Sequence, residues 1–136
     1  MSNPGQQMAA EVDAKVQKFR TIQEEVQKLR NDQQLLMQQQ SENEMVKQEL
    51  DLLDDSAQVY KMVGPVLMKN ETDDAKQTVD QRLELITGEL KKVLKSINSK
   101  EEESQVLAKK VQEMQSAMQS AAAEAGKLAA QQAAQG

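Results

Sequence analysis

Along the second half of the chain, residues recur at alternating steps of four and three: Val79, Leu83, Ile86, Leu90, Val93, Ile97, Lys100, Ser104, Leu107, Val111, Met114, Met118, Ala121, Ala125 and Leu128. Thirteen of these fifteen are apolar, so one a/d phase is held for seven heptads. A helix lying on a globular core has no reason to keep such a phase. A coiled coil does, because a repeat of 3.5 keeps the same stripe facing its partner. The intervening positions are mainly Glu, Lys, Gln, Ser and Asn with charges intermixed, the makeup of a solvated outer face.

The first half carries the same pattern in Val12, Phe19, Ile22, Val26, Leu29 and Leu36, with Val16 flanking the stripe. After Leu36 the polar run Gln38-Gln39-Gln40-Ser41-Glu42-Asn43 is expected to let the phase slip, a local unwinding of the supercoil. The stripe resumes at Val46, Leu50, Leu53 and Ala57. No Pro or Gly interrupts residues 6 to 63. These patterns predict one helix over 6–55, a second over 73–128, and a low-complexity, disordered tail over 129–136.

Between the helices the period drops to two. Val59, Tyr60, Met62 and Val63 precede Gly64-Pro65, and Val66, Leu67 and Met68 follow it, which predicts a β-hairpin over 58–69. Pro65 has no N–H to give a ladder, so the turn belongs there. Asn70 to Asp74 supply caps and first-turn acids for the second helix.

The two stripes also register with each other. In an antiparallel pair, facing residues have numbers with a constant sum, and Leu50 with Val79, Val46 with Leu83, Asn43 with Ile86, Leu36 with Val93 and Ile22 with Leu107 all add to 129. The expected fold is therefore mainly α: a long antiparallel two-helix coiled coil with one β-hairpin at its base.

Composition narrows the function. The 136 residues include no Cys, His or Trp, one Phe and one Tyr, against 21 Gln, and mean hydropathy is -0.72. Zinc sites, thiol chemistry and imidazole acid–base catalysis are excluded, and no glycine run forms a phosphate cradle. No enzyme and no cofactor is expected. A net charge of -5 argues against nucleic acid as a partner. No apolar run is long enough to span a membrane, and the first residues lack a basic segment followed by an apolar stretch, so a cytoplasmic location is expected.

Two surfaces remain as candidate sites. Both faces of the hairpin are apolar, through Val59, Val63, Val66 and Met68 on one and Tyr60, Met62 and Leu67 on the other. Either the hairpin folds down on its own helices, or its open edges are completed by other subunits, making residues 59 to 69 an oligomer interface. At the far end the stripe drifts to Met and Ala. There the helices either simply fray, or expose Val12, Val16, Phe19, Val111, Met114 and Met118 as an adaptable apolar surface for non-native chains. Lys100 and Ser104, polar within the stripe, are expected to fix register. Asp54-Asp55 and Asp73-Asp74 read as caps in preference to metal ligands. Gly88, on the outer face of a helix where glycine costs about 1 kcal/mol relative to Ala, has no sequence-level account.

The segment VYKMVGPVLMKNETDDAKQTVDQRLELITGELKKV resembles the signature of β-type prefoldin subunits. The likeness lies in the strand Val59 to Val63, the Gly64-Pro65 turn, the strand Val66 to Lys69, the acidic Asp73-Asp74 opening, and the run Val79, Arg82, Leu83, Glu84, Ile86 and Glu89. It implies a single prefoldin-type domain over 1–136 in a hexamer of two α-type and four β-type subunits, so that this chain would have two α-type and three further β-type partners. The resemblance further implies hairpins joined in a β-barrel platform through Val59, Tyr60, Met62, Val63, Gly64, Pro65, Val66, Leu67 and Met68. Arm tips around Val12 to Phe19 and Val111 to Met118 would hold unfolded actin and tubulin for delivery to the cytosolic chaperonin without ATP. The alternative is a coiled-coil scaffold or spacer that binds no unfolded client.

Overall fold

The computed structural model describes residues 3–135, in the order α1 (Pro4–Asp51), β1 (Val59–Val63), β2 (Val66–Asn70) and α2 (Thr72–Gln135). It is the expected mainly α arrangement of antiparallel coiled-coil helices with one β-hairpin. α1 starts before the apolar pattern does because Asn3-Pro4 is a ready-made cap: Asn3 Oδ1 accepts the Gln6 N–H at 2.7 Å and proline occupies the first turn, where no N–H is missed. It ends at Asp51, short of the expected residue 55. The Leu52 and Leu53 amides close on carbonyls three residues back (Glu49 and Leu50), which tightens the last turn. Asp54 then captures the chain: its carboxylate accepts the Ser56 hydroxyl at 2.6 Å and the Ser56 amide at 3.0 Å. The hydroxyl bond first, then the amide, holds this carboxyl below its ordinary range.

At the other end, the tail expected to be disordered continues α2 to Gln135. Ala, Gln, Leu and Lys are strong helix formers, and only Gly126 interrupts them. Every described residue beyond Met118 is exposed, so this stretch is helical by propensity and not by packing. Gly136 lies outside the described residues.

The contacts group into two units. The first holds the chain up to Lys28 and from Asn98 onward. Val12, Ile22, Val26 and Leu107 are buried in it, with Met8, Val16, Phe19, Val111, Met114 and Met118 half-buried on the same stripe. Its two polar stripe residues behave differently. Lys100 reaches across to the Glu25 carboxylate on α1, a hydrogen bond that raises the lysine pKa. Ser104 is only 5% exposed, but its hydroxyl donates back to the Glu101 carbonyl of its own helix at 2.9 Å. Lys100 thus supplies interhelical register, as expected, whereas the Ser104 hydrogen bond supplies none.

The second unit is Leu29–Ile97. Leu50, Ala75 and Val79 form its core cluster, with Val59 and Leu83 packed against it. Lys47–Asp80 at 2.9 Å and Lys76–Asp51 at 3.8 Å cross between α1 and α2 and run in opposite senses along them, so the pairing is antiparallel. These pairs are exposed and contribute register more than energy. The expected slip after Leu36 does not occur as such. Gln33, Leu36, Gln40 and Asn43 are all half-buried at steps of three and four, so polar side chains occupy the stripe. Asn43 is accommodated by donating to the Gln39 carbonyl at 2.7 Å within its own helix. Val46 and Leu53, expected in the stripe, are exposed, and Leu53 already lies past the end of α1.

β1 and β2 pair antiparallel, with Val59 opposite Asn70, Tyr60 opposite Lys69, Lys61 opposite Met68, Met62 opposite Leu67 and Val63 opposite Val66. The loop is therefore two residues, Gly64-Pro65. Gly64 has φ of +61°, a conformation costly to any residue with a Cβ, and proline's fixed φ follows; these are the φ signs of a type II′ turn, whose twist suits a hairpin.

Two outcomes follow. Ile22→Ala removes one of the most buried side chains of the first unit and should lower stability by about 2–5 kcal/mol in urea unfolding, whereas Leu35→Ala at an exposed position should stay within about 0.5 kcal/mol. Because the folded-state pKa of Asp54 is depressed, its stabilisation is present above the unfolded carboxyl pKa and is lost as pH falls through the folded value. The stability gap between the wild type and Asp54→Ala, measured by urea melts, should therefore shrink from pH 7 to roughly pH 2.

Candidate functional site

The hairpin leaves most of its apolar side chains uncovered by its own chain. The pleat places Val59, Lys61, Val63, Val66, Met68 and Asn70 on one face and Tyr60, Met62, Leu67 and Lys69 on the other. Only Val59 settles on the helices of its unit, against the Leu50, Ala75 and Val79 cluster. Met62 is 72% exposed and Leu67 64%, and Tyr60, Val63, Val66 and Met68 are about half exposed. The Tyr60 hydroxyl is occupied locally by Gln58 at 2.7 Å, leaving its ring as an apolar surface.

With both strands at the edge of a two-stranded sheet, each leaves a row of backbone donors and acceptors unpaired by the other. Six large apolar side chains thus stand exposed on a sheet too small to be stable alone, beside two open strand edges. Leu52, 84% exposed in the connection before the hairpin, extends this apolar character. Nine sequence-predicted interface residues therefore fall on one contiguous hairpin.

The second predicted surface comes out differently. Val12 is 7% exposed, and Val16, Phe19, Val111, Met114 and Met118 are half-buried. The helices stay paired over these six residues, and the expected splaying is absent from the structure. Met packs loosely but still excludes water when the opposite helix is present, so the stripe stays closed as far as Met118, while the alanines beyond it are exposed. This unit has an apolar notch lined by Pro4, Gly5, Met8, Met118, Ala121 and Ala122. Sequence reasoning missed it by starting the stripe at Val12, although Met8 sits one four-residue step earlier. Ala75 was missed in the same way, four residues before Val79.

The acidic pairs are accounted for locally. Asp54 makes its turn with Ser56, and Asp73 and Asp74 lie in the first turn of α2, where negative charge suits the helix dipole. Among the described residues, no three acidic side chains converge on a point that could hold a metal ion.

A sequence profile described as prefoldin subunit matches residues 13–118. The chain is 37% identical over 120 residues to prefoldin subunit 6 of Homo sapiens, covering 85% of this chain and 93% of that protein. It is 36% identical over 122 residues to the probable prefoldin subunit 6 of Caenorhabditis briggsae, covering 90% and 95%. Among solved structures, the prefoldin beta subunit from Thermococcus strain KS-1 aligns with a TM-score of 0.56 at 25% identity, covering 82% of this chain and 91% of that one. A profile spanning most of the chain, full-length relatives and a helix–hairpin–helix fold agree: this protein belongs to the prefoldin subunit family.

Proposed function

We propose that this chain is a β-type subunit of a heterohexameric, ATP-independent chaperone, assembled through its hairpin with two α-type and three further β-type prefoldin subunits. The carrying observation is the exposure of six large apolar side chains on a two-residue-loop hairpin with both edges open. Burying them against neighbouring hairpins removes apolar area from water and pairs the edges, which stabilises both the sheet and the assembly. Nothing in this step needs a nucleotide, in keeping with a sequence that has no phosphate-binding loop.

The work of such a complex is to hold unfolded chains, actin and tubulin by the family resemblance, and pass them to the cytosolic chaperonin, in the cytoplasm. In this chain the client surface is the notch at Pro4, Met8, Met118 and Ala122, enlarged when the Met- and Ala-rich stripe from Val12 to Phe19 and Val111 to Met118 opens. Met adapts to irregular apolar partners. Weak contacts on several subunits of one complex combine through effective concentration, so no single notch has to bind tightly.

The closed stripe over Val12 and Met118 also favours a second reading. A scaffold or spacer that joins fixed partners would keep its helices paired to the end, and it would bind no unfolded chain.

Two measurements separate these. Val63→Asp or Leu67→Asp should block incorporation into the complex in native mass spectrometry, because a buried unpaired carboxylate in an apolar joint is strongly unfavourable; normal incorporation refutes the hairpin interface. Deleting residues 1–19 and 110–136 should leave assembly intact and abolish suppression of aggregation of denatured actin. Full suppression by that truncated complex would sink the client assignment, and a wild-type complex with no suppression at all would establish the spacer.

A further inference from the structure

Gly88 sits inside a 64-residue helix, about four turns from its start, with an ordinary negative φ, and nothing lies within 4 Å of the position a Cβ would take. The chain's own packing and backbone therefore give no reason for the residue that, after proline, is worst for a helix. One turn earlier, Leu85 is 71% exposed and off the stripe. Together they form a shallow dent on the outer face of α2, with Leu85 as an apolar wall, Gly88 as the floor and Glu84 and Lys92 among its rim.

The dent is not isolated. It shares Leu85 with a hollow that also takes in Asn43, Arg82 and Ile86, and that hollow shares Arg82 with a groove running beneath the hairpin past Tyr60 and Asn70. All three lie within the Leu29–Ile97 unit and form one track leading away from the hairpin. Interface size supplies the second argument. A stable interface takes roughly 20–30 residues a side, while the hairpin from Val59 to Asn70 offers 12. A subunit joined by its hairpin alone would be joined by about half of what stability requires.

We infer that this track is the second half of the intersubunit contact, in which an apolar side chain of the adjacent prefoldin subunit seats in the dent against Leu85, its close approach permitted by the missing side chain at Gly88. The inference rests on the hairpin-interface reading, since the adjacent subunit is the occupant whose position continues from the hairpin. It also explains a glycine that destabilises the free chain: helix propensity is given up where the partner's side chain must enter.

Gly88→Gln tests it with opposite signs in one protein. Filling the dent with a neutral helix former should raise the thermal midpoint of the full chain on its own, while incorporation with its partner subunits, measured by competition against the wild-type chain in native mass spectrometry, falls by at least about tenfold. Leu85→Glu should lower incorporation similarly while leaving the midpoint of the free chain unchanged. If both variants compete as well as wild type while Val63→Asp is excluded, the track is no interface and the hairpin reading stands alone. If Val63→Asp also incorporates normally, both readings fail. Normal incorporation with loss of client protection would make the dent a client site, and loss of self-association of the free chain alone would make it a contact between two copies; either result overturns the inference.

Discussion

Alternating steps of four and three along α1 and α2 commit each helix to burying a stripe one side chain wide, and the rest of this molecule follows from how little that buries. Among the described residues no large side chain is completely enclosed, and the core consists of Val, Ile, Leu and Ala at 4–8% exposure. A stripe this narrow holds one half-buried aromatic, Phe19, and no aromatic cluster. The near-absence of aromatics, which in a compact domain would leave the core underfilled, here matches the geometry of two helices in contact. It also means that polar residues within the stripe are tolerated when satisfied locally. Asn43 and Ser104 both donate to carbonyls of their own helix, and Lys100 extends its amine to Glu25 at the margin.

The hairpin is where that thin core runs out. Val59 is its one apolar anchor, and the strands beyond it project apolar side chains to both faces with no layer of the same chain above or below. A two-stranded sheet cannot bury two faces by itself. The turn is nevertheless fully specified, by a left-handed glycine followed by a proline, so the chain itself holds the strands in register. Preorganisation of this kind lowers the ordering cost of association. The same logic fits Gly88, where the chain gives up helix stability at a position that its own packing leaves open.

Much of this was legible in the sequence because the signals are local. The hairpin register follows from the two-residue loop, and the ion pair of Lys47 with Asp80, two short of the constant sum, flanks the facing pairs read from residue numbers alone. The failures are equally physical. A reading that counts only apolar residues treats the run from Gln38 to Asn43 as a break, although Gln40 and Asn43 are half-buried and a long polar side chain can lie across a stripe with its polar end turned out. Asp54 ended α1's influence early by binding Ser56, a competition between side chain and helix that periodicity does not register. The Ala- and Gln-rich tail looked disordered because it has nothing to bury, yet helix propensity needs no burial.

By itself the sequence determined the two helices, their antiparallel register, the position of the turn, and the family, since each depends on spacing and on residue types with narrow backbone preferences. Only the tertiary structure decided which apolar residues are left over. It closed the stripe over Val12 and Met118, which composition had suggested would open. It left Met62, Leu67 and Leu85 facing solvent, and it placed Leu85 and Gly88 on a track continuous with the hairpin. Exposure is a property of what lies opposite a residue, and for a chain two helices thick that is settled by packing.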